Sequence, residues 1–166
     1  MTADQIKAML GLRPLAREGG YYAETYRSAT VLGIDVPQAG CLARRALATA
    51  IFYLLTPDSF SALHRLAMDE IYHFYLGDPV EMLLLHSDGS SKTVVLGSDI
   101  SRDMRLQTVV AAGVWQGSRL VKGGRFALMG TTTAPGFDSA DYEAGDRRSL
   151  IRLYPQVRHL IRALTR

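Results

Sequence analysis

Residues 61–79, SALHRLAMDEIYHFYLGDP, hold two histidines and a glutamate close enough in sequence to act together. Glu70 and His73 form E-x-x-H. On a helix that spacing puts both side chains on one face, as in a carboxylate-bridged metal pair, but such a site needs a second copy of the motif and the chain has none. The local residues are instead those of a strand, since EIYHFYL is rich in aromatic and β-branched side chains and stops at Gly-Asp-Pro. Side chains on a strand alternate faces. Glu70, Tyr72 and Phe74 then share one face, while Ile71, His73 and Tyr75 share the other. His64, alternating with Ala62 on the preceding segment, is expected to point inward with Glu70 and to face it across the ladder. A histidine near a carboxylate can serve as a general base whose tautomer the acid fixes. The same two groups can equally be a buried pair that satisfies each other's hydrogen bonds. His73, on the opposite face, is expected at a sheet or subunit contact. His86, at the end of an apolar strand, and His159, among arginines, read as structural.

The elements that must position these residues are mostly short strands. ALATAIFYLL stops at TPDS, VEMLLLH at SDGS and RFALMGTTT at APGF, and KTVVLG, LQTVVAAGVW and GSRLV lie between similar turns. Nine or ten segments of five to eight residues between turn signals predict an all-β sandwich or barrel. A short helix is predicted over 2–10, where Thr2 and Gln5 have capping-box spacing and Gly11 supplies the stop. Residues 29–45, with Gly33, Pro37 and Gly40, read as a long loop or irregular hairpin. After DSADYEAGD the periodicity becomes helical, with Asp146 as N-cap and Pro155 splitting the run in two.

The chain has 166 residues, 48% of them apolar and 21% charged, which suits one globular domain over 1–166. A single cysteine, Cys41, excludes an internal disulfide and a cysteine-rich zinc site and fits a reducing cytoplasm. The N-terminus lacks a signal-peptide core, and the longest apolar run is about half the ~20 residues needed to cross a bilayer. A cytoplasmic protein with no membrane partner is expected. Six arginines and no acid fall between Arg147 and Arg166, but Arg158 and Arg162 have the spacing of a solvated helix face, and no strand interleaves aromatic with basic residues. No nucleic-acid partner is expected. Nucleotide-binding glycine loops, a serine-hydrolase elbow and HExxH are all absent from the sequence.

ALHRLAMDEIYHFYLG resembles the first motif of the cupin superfamily, G-x5-H-x-H-x3,4-E-x6-G. His64 falls at the second histidine, Glu70 at the glutamate and Gly77 at the closing glycine, with one extra residue between His64 and Glu70. AAGVWQGSRL resembles the second motif, G-x5-P-x-G-x2-H-x3-N, with Gly113 in place, Ala111 for the proline and Gln116 for the histidine. EGGYYAETYRS, the 61–86 stretch, AAGVWQGSRLVKGGRFALMGTTTAPGFD and DYEAGDR together look like an RmlC-like cupin subfamily without an assigned activity. The resemblance implies a double-stranded β-helix, or jelly-roll, barrel with a short N-terminal helix and C-terminal helices, and a homodimer.

A metal cupin holds its ion with three histidines and a carboxylate. Here those positions read Ala62, His64, Glu70 and Gln116, so no metal or other cofactor is expected, the alternative being a weakly bound divalent metal at His64, Glu70 and Gln116. In the epimerases of this fold a histidine base and a tyrosine acid act on opposite faces of a sugar carbon. The resemblance therefore implies a small-molecule ligand in the lumen and metal-independent epimerase, isomerase or lyase chemistry, with His64 and Glu70 catalytic. Tyr53, Tyr72 and Tyr142 are candidate acids. Tyr53, Tyr72, Phe74, Gln116 and Tyr142 are candidate ligand contacts, with Trp115 expected to face away, and Asp138, Tyr142 and Glu143 are candidates for a lid or edge. Two other readings stand beside this one, a binding module without chemistry and a divalent-metal cupin enzyme.

Overall fold

The computed structural model describes residues 1–36 and 41–166. Its body is a barrel of two facing antiparallel sheets. The first contains β1 (Arg13–Pro14), β2 (Tyr21–Arg27), β5 (Thr49–Leu55), β12 (Ala127–Ala134), β7 (Asp69–Gly77) and β10 (Gln107–Val110), in that order. The second contains β13 (Tyr142–Ala144), β6 (Phe60–Leu66), β11 (Trp115–Leu120), β8 (Val80–Leu85) and β9 (Ser91–Leu96). The stretch 29–45 carries a paired hairpin, β3 (Val31–Val36) with β4 (Cys41–Ala46). Of the two sequence readings, long loop or irregular hairpin, the pairing is that of a hairpin, and Pro37 and Gly40 lie outside the described residues.

The chain changes sheet at nearly every turn after β5, which is the winding of a jelly roll. One consequence corrects a sequence expectation. β6 and β7 are consecutive but unpaired: β6 pairs with β11 and β13, and β7 with β10 and β12. His64 therefore does not meet Glu70 across a ladder. The two residues belong to opposite sheets and face each other through the lumen.

Burial follows the alternation of each strand. On β7, Glu70, Tyr72 and Phe74 are buried while Ile71 and His73 are half-buried and Tyr75 is exposed, as the strand parity predicts. On β8 the run VEMLLL is apolar except for Glu81, which pairs with Arg119 on the neighbouring strand, because both faces of the strand are largely covered. Met82 and Leu84 join the lumen core, and Leu83 and Leu85 pack outward beneath two short helices, α2 (Arg147–Leu153) and α3 (Arg158–Ala163). Burying each such leucine is worth roughly 1.5–3 kcal/mol, so the helices contribute to holding this sheet from its outer face. Asp146 caps α2 through the Ser149 N–H, and a 3-10 turn at Pro155–Val157 separates the helices. α1 (Ala3–Leu10) begins with the Thr2–Gln5 capping box and ends at Gly11 with φ 62°. Its Ile6 packs against Leu54, Phe126 and Leu128 on the outside of the first sheet. Among the described residues no helix is long and apolar enough to cross a membrane.

Candidate functional site

The register of the first sheet lays its inward side chains in rows. Val110, Glu70, Thr133, Thr49 and Arg27 form one row, and Thr108, Tyr72, Thr131, Ile51 and Glu24 the next. A third row carries Phe74, Met129, Tyr53 and Tyr22. The lumen core, built on Tyr53, Tyr72, Phe74, Met82 and Met129, plugs one half of the barrel. The other half is a cavity of about 530 Å³ whose floor is the Glu70, Thr133, Thr49 and Arg27 row with Thr131, Ile51 and Glu24. Its remaining wall comes from the segment Arg13–Glu18, from Leu66 and from Phe137, Ser139 and Tyr142. That size lies within the range of small-molecule sites.

Glu70 sits 7% exposed at the inner end, and the Gln116 Nε2–H donates to its Oε2 at 2.7 Å. Burial, helped by the charge of Glu18, raises the pKa of its carboxyl above the ordinary carboxylate value. His64 and hydrogen bonds from Thr131 and Gln116 act in the opposite sense.

His64 is 1% exposed and stands behind the wall. Its Nδ1 lies 2.7 Å from the Ala62 carbonyl oxygen. A carbonyl can only accept, so Nδ1 carries the hydrogen and Nε2 is the basic nitrogen. Nε2 faces the Glu18 carboxylate at 3.9 Å. The ring stacks on Tyr142, with centroids 5.0 Å apart and planes inclined by 19°. Burial and the charge of Glu18 push the Tyr142 hydroxyl up to about 12.

Glu18 is the cavity carboxylate that sequence reasoning missed. It lies in a turn, where an acidic residue reads as solvated, and its only signal was the Gly-Gly that follows. Gly19 has φ 106°, and a Cβ there would lie 2.1 Å from the Phe60 carbonyl oxygen, so the turn presses onto β6 only because this residue is glycine. Around it the Ser61 hydroxyl donates to Glu18 Oε1 at 2.7 Å, the Ala62 N–H donates to the Glu18 carbonyl at 2.8 Å and the Tyr53 hydroxyl donates to the Gly19 carbonyl at 3.0 Å.

Of the residues singled out from sequence, Glu70 and Tyr142 thus reach the cavity wall. His64 and Gln116 support it from behind, and Tyr53, Tyr72 and Phe74 lie in the packed half of the lumen. Trp115 faces outward, with the Arg65 guanidinium 4.7 Å from its ring centre. His73 is also on the outer face, beside Gln107 and Thr132. Asp138 caps a 3-10 turn, and Glu143 pairs with Arg65 at 2.8 Å.

A divalent metal does not fit His64, Glu70 and Gln116. Glu70 Oε2 accepts from the Gln116 amide, His64 turns Nε2 to Glu18 and Nδ1 to the Ala62 carbonyl, and the remaining Gln116 Oε1 is a weak neutral donor. Among the described residues no three His, Cys, Asp or Glu side chains converge on one point.

Over residues 4–145 the chain matches the family model described as Cupin superfamily (DUF985). It is 32% identical over 134 residues to the uncharacterised protein YML079W of Saccharomyces cerevisiae, a match spanning 76% of this chain and 67% of the yeast protein. A hypothetical protein from Leishmania major superposes with a TM-score of 0.89 at 32% identity, covering 99% of each chain. A protein from Shewanella oneidensis superposes at 0.86 and 31% identity, covering 100% of this chain and 98% of its own. More distant solved structures share the fold alone. They include a dTDP sugar isomerase from Desulfovibrio desulfuricans (TM-score 0.52, 16% identity) and the oxalate decarboxylase of Bacillus subtilis (0.56, 12%). With the jelly-roll winding, the glutamate at position 70 and a family match over most of its length, this chain belongs to the cupin superfamily, in its DUF985 family.

Proposed function

We propose that the protein binds a small polar molecule in the open half of its barrel and moves a proton on it, as an epimerase or isomerase does. The observation that carries this reading is the convergence of Glu18, Glu70 and Tyr142 on one cavity, with the basic Nε2 of His64 3.9 Å behind Glu18. Glu18 touches the ligand as the base, and His64 takes over that proton once the two side chains close the 3.9 Å between them. The Nδ1 contact with Ala62 keeps His64 in the tautomer that can do so. Tyr142, on the rim, is the acid that returns a proton. Glu70, whose carboxyl pKa burial raises, makes a hydrogen bond to an oxygen or hydroxyl of the ligand. His64 is thereby a positioning and proton-holding residue rather than one that contacts the substrate.

The test is solvent deuterium exchange into compounds retained by the purified protein and identified by mass spectrometry. Exchange at a carbon-bound position that Glu18→Gln abolishes, with binding kept, is the expected result. His64→Asn should slow exchange and shift its pH profile. Binding without exchange in the wild type would leave a non-catalytic binding module and sink the enzyme reading.

We further propose that two copies associate through the outside of the first sheet. There the register aligns Val109 with Ile71, Thr132 and Ala50, and His73 with Gly130 and Phe52. Tyr75 and Val109 are 50% and 56% exposed on this face, and a contiguous apolar surface of this kind is unusual on a monomer.

A further inference from the structure

The charges on the cavity wall are not evenly arranged. Arg27 is neutralised where it stands, since its Nε and Nη2 donate to both carboxylate oxygens of Glu24 at 3.0 and 2.7 Å. Arg13 and Arg17 also line the cavity, and both are exposed at its mouth. Among the described residues neither has a carboxylate within ion-pair distance. The Arg13 guanidinium instead lies 5.1 Å from the centre of the Tyr22 ring. Arg17 is placed by its backbone, whose carbonyl accepts from the Tyr142 hydroxyl at 3.5 Å. Deeper in, the polar groups are of another kind. Thr49, Thr131 and Thr133 are each at most 5% exposed, and the Thr49 and Thr133 hydroxyls are 2.9 Å apart. The wall thus has a cationic mouth that lacks counter-charge and an interior of hydroxyls and carboxyls.

We propose that the cavity takes a hydroxylated anion, with its phosphate or carboxylate between Arg13 and Arg17 at the mouth and its hydroxyls against Thr49, Thr131, Thr133 and Glu70. This rests on the reading of the lumen as a ligand site and narrows what the ligand is. A small dianion with no hydroxyls is disfavoured, because its second charge would lie against the Glu18 carboxylate and leave the buried threonine hydroxyls unused. A neutral sugar would make no use of the two arginines at the mouth, which an anionic group would engage. Arginine recognises phosphate and carboxylate alike through its planar fork, so both anion types belong to the proposed class.

The experiment is calorimetric titration of the full chain with glucose 6-phosphate, gluconate, glucose and inorganic phosphate. At least one of the first two should bind about tenfold or more tightly than glucose and than phosphate alone. The double variant R13A/R17A should remove that preference while keeping the wild-type Tm without ligand, and R148A/R152A, on the outer helices, should leave it intact. Stronger binding of glucose 6-phosphate than of gluconate assigns the anion as phosphate, and the reverse assigns it as carboxylate. Equal binding of glucose and the anions, a preference that survives R13A/R17A, or no binding of either anion would each overturn the proposal. Proton-transfer chemistry is read separately by deuterium exchange. A neutral ligand that exchanges would therefore remove the anion subsite and leave the enzyme reading standing.

Discussion

Glu70 is held by two opposing influences. Burial and the nearby Glu18 favour its neutral form, while the Gln116 amide, Thr131 and His64 favour its charge, and the first pair wins. A carboxyl whose pKa is higher in the folded than in the unfolded chain stabilises the fold fully below the unfolded value, and that contribution is lost as pH rises through the folded value. The protein should therefore lose stability as pH climbs from the ordinary carboxylate range through the raised pKa of Glu70. Glu70→Gln keeps an oxygen for the Gln116 amide and cannot ionise, so its Tm should fall less over pH 4–8 than that of the wild type. Parallel Tm profiles would show that Glu70 titrates normally. Strand parity alone sorted Glu70 from His73. Placing His64 behind Glu18 needed the turn at residues 15–20, which no periodicity marks.

The turn and the strands it touches decide whether the cavity exists. Gly19→Ala would force a Cβ onto the Phe60 carbonyl at a φ that L-residues avoid, so it should cost at least about 1–3 kcal/mol and displace Glu18. Gly89, with φ 86°, has no atom within 4 Å of the same Cβ position. Gly89→Ala should thus show the φ strain without the clash and leave ligand binding unchanged. Urea unfolding and titration of the two variants side by side check this, and equal losses would mean that the close approach of the turn to β6 carries no weight. Asp146→Ala removes the cap of α2 and should cost about 1 kcal/mol in the same unfolding assay. The caps of α1 and α2 and the Pro155 break were legible because each is set by residues within one turn of chain. The stretch 31–46 was legible only as a loop or an irregular hairpin, since its glycine and proline content argued for irregular backbone while its pairing depends on the partner strand.

For the molecule as a whole, three clusters of apolar side chains fasten the layers together: the lumen core, the cluster under α2 and α3, and the cluster under α1. Among the described residues nothing gives such cover to the part of the first sheet away from α1, which is why its Val109, Ile71 and Tyr75 surface is proposed as a self-association face. Sedimentation equilibrium should give a dimer for the wild type and a monomer for the V109R/Y75D variant, with far-UV circular dichroism unchanged. A wild-type monomer at tens of micromolar would remove the proposal.

Taken alone, the sequence determined the strand-rich body, the inward and outward faces of β7, the helices at both ends and the resemblance that identified the barrel. Each of these is written in spacing along a single segment or in a motif with fixed gaps. Only the tertiary structure decided that β6 and β7 lie in opposite sheets and that half of the lumen is filled by Tyr53, Tyr72 and Phe74. It also decided that Arg13 of β1 and Arg17 and Glu18 of the turn after it line the open half. Those arrangements depend on which strands pair across long stretches of chain and on how closely two backbones approach at Gly19, and neither is encoded in local periodicity.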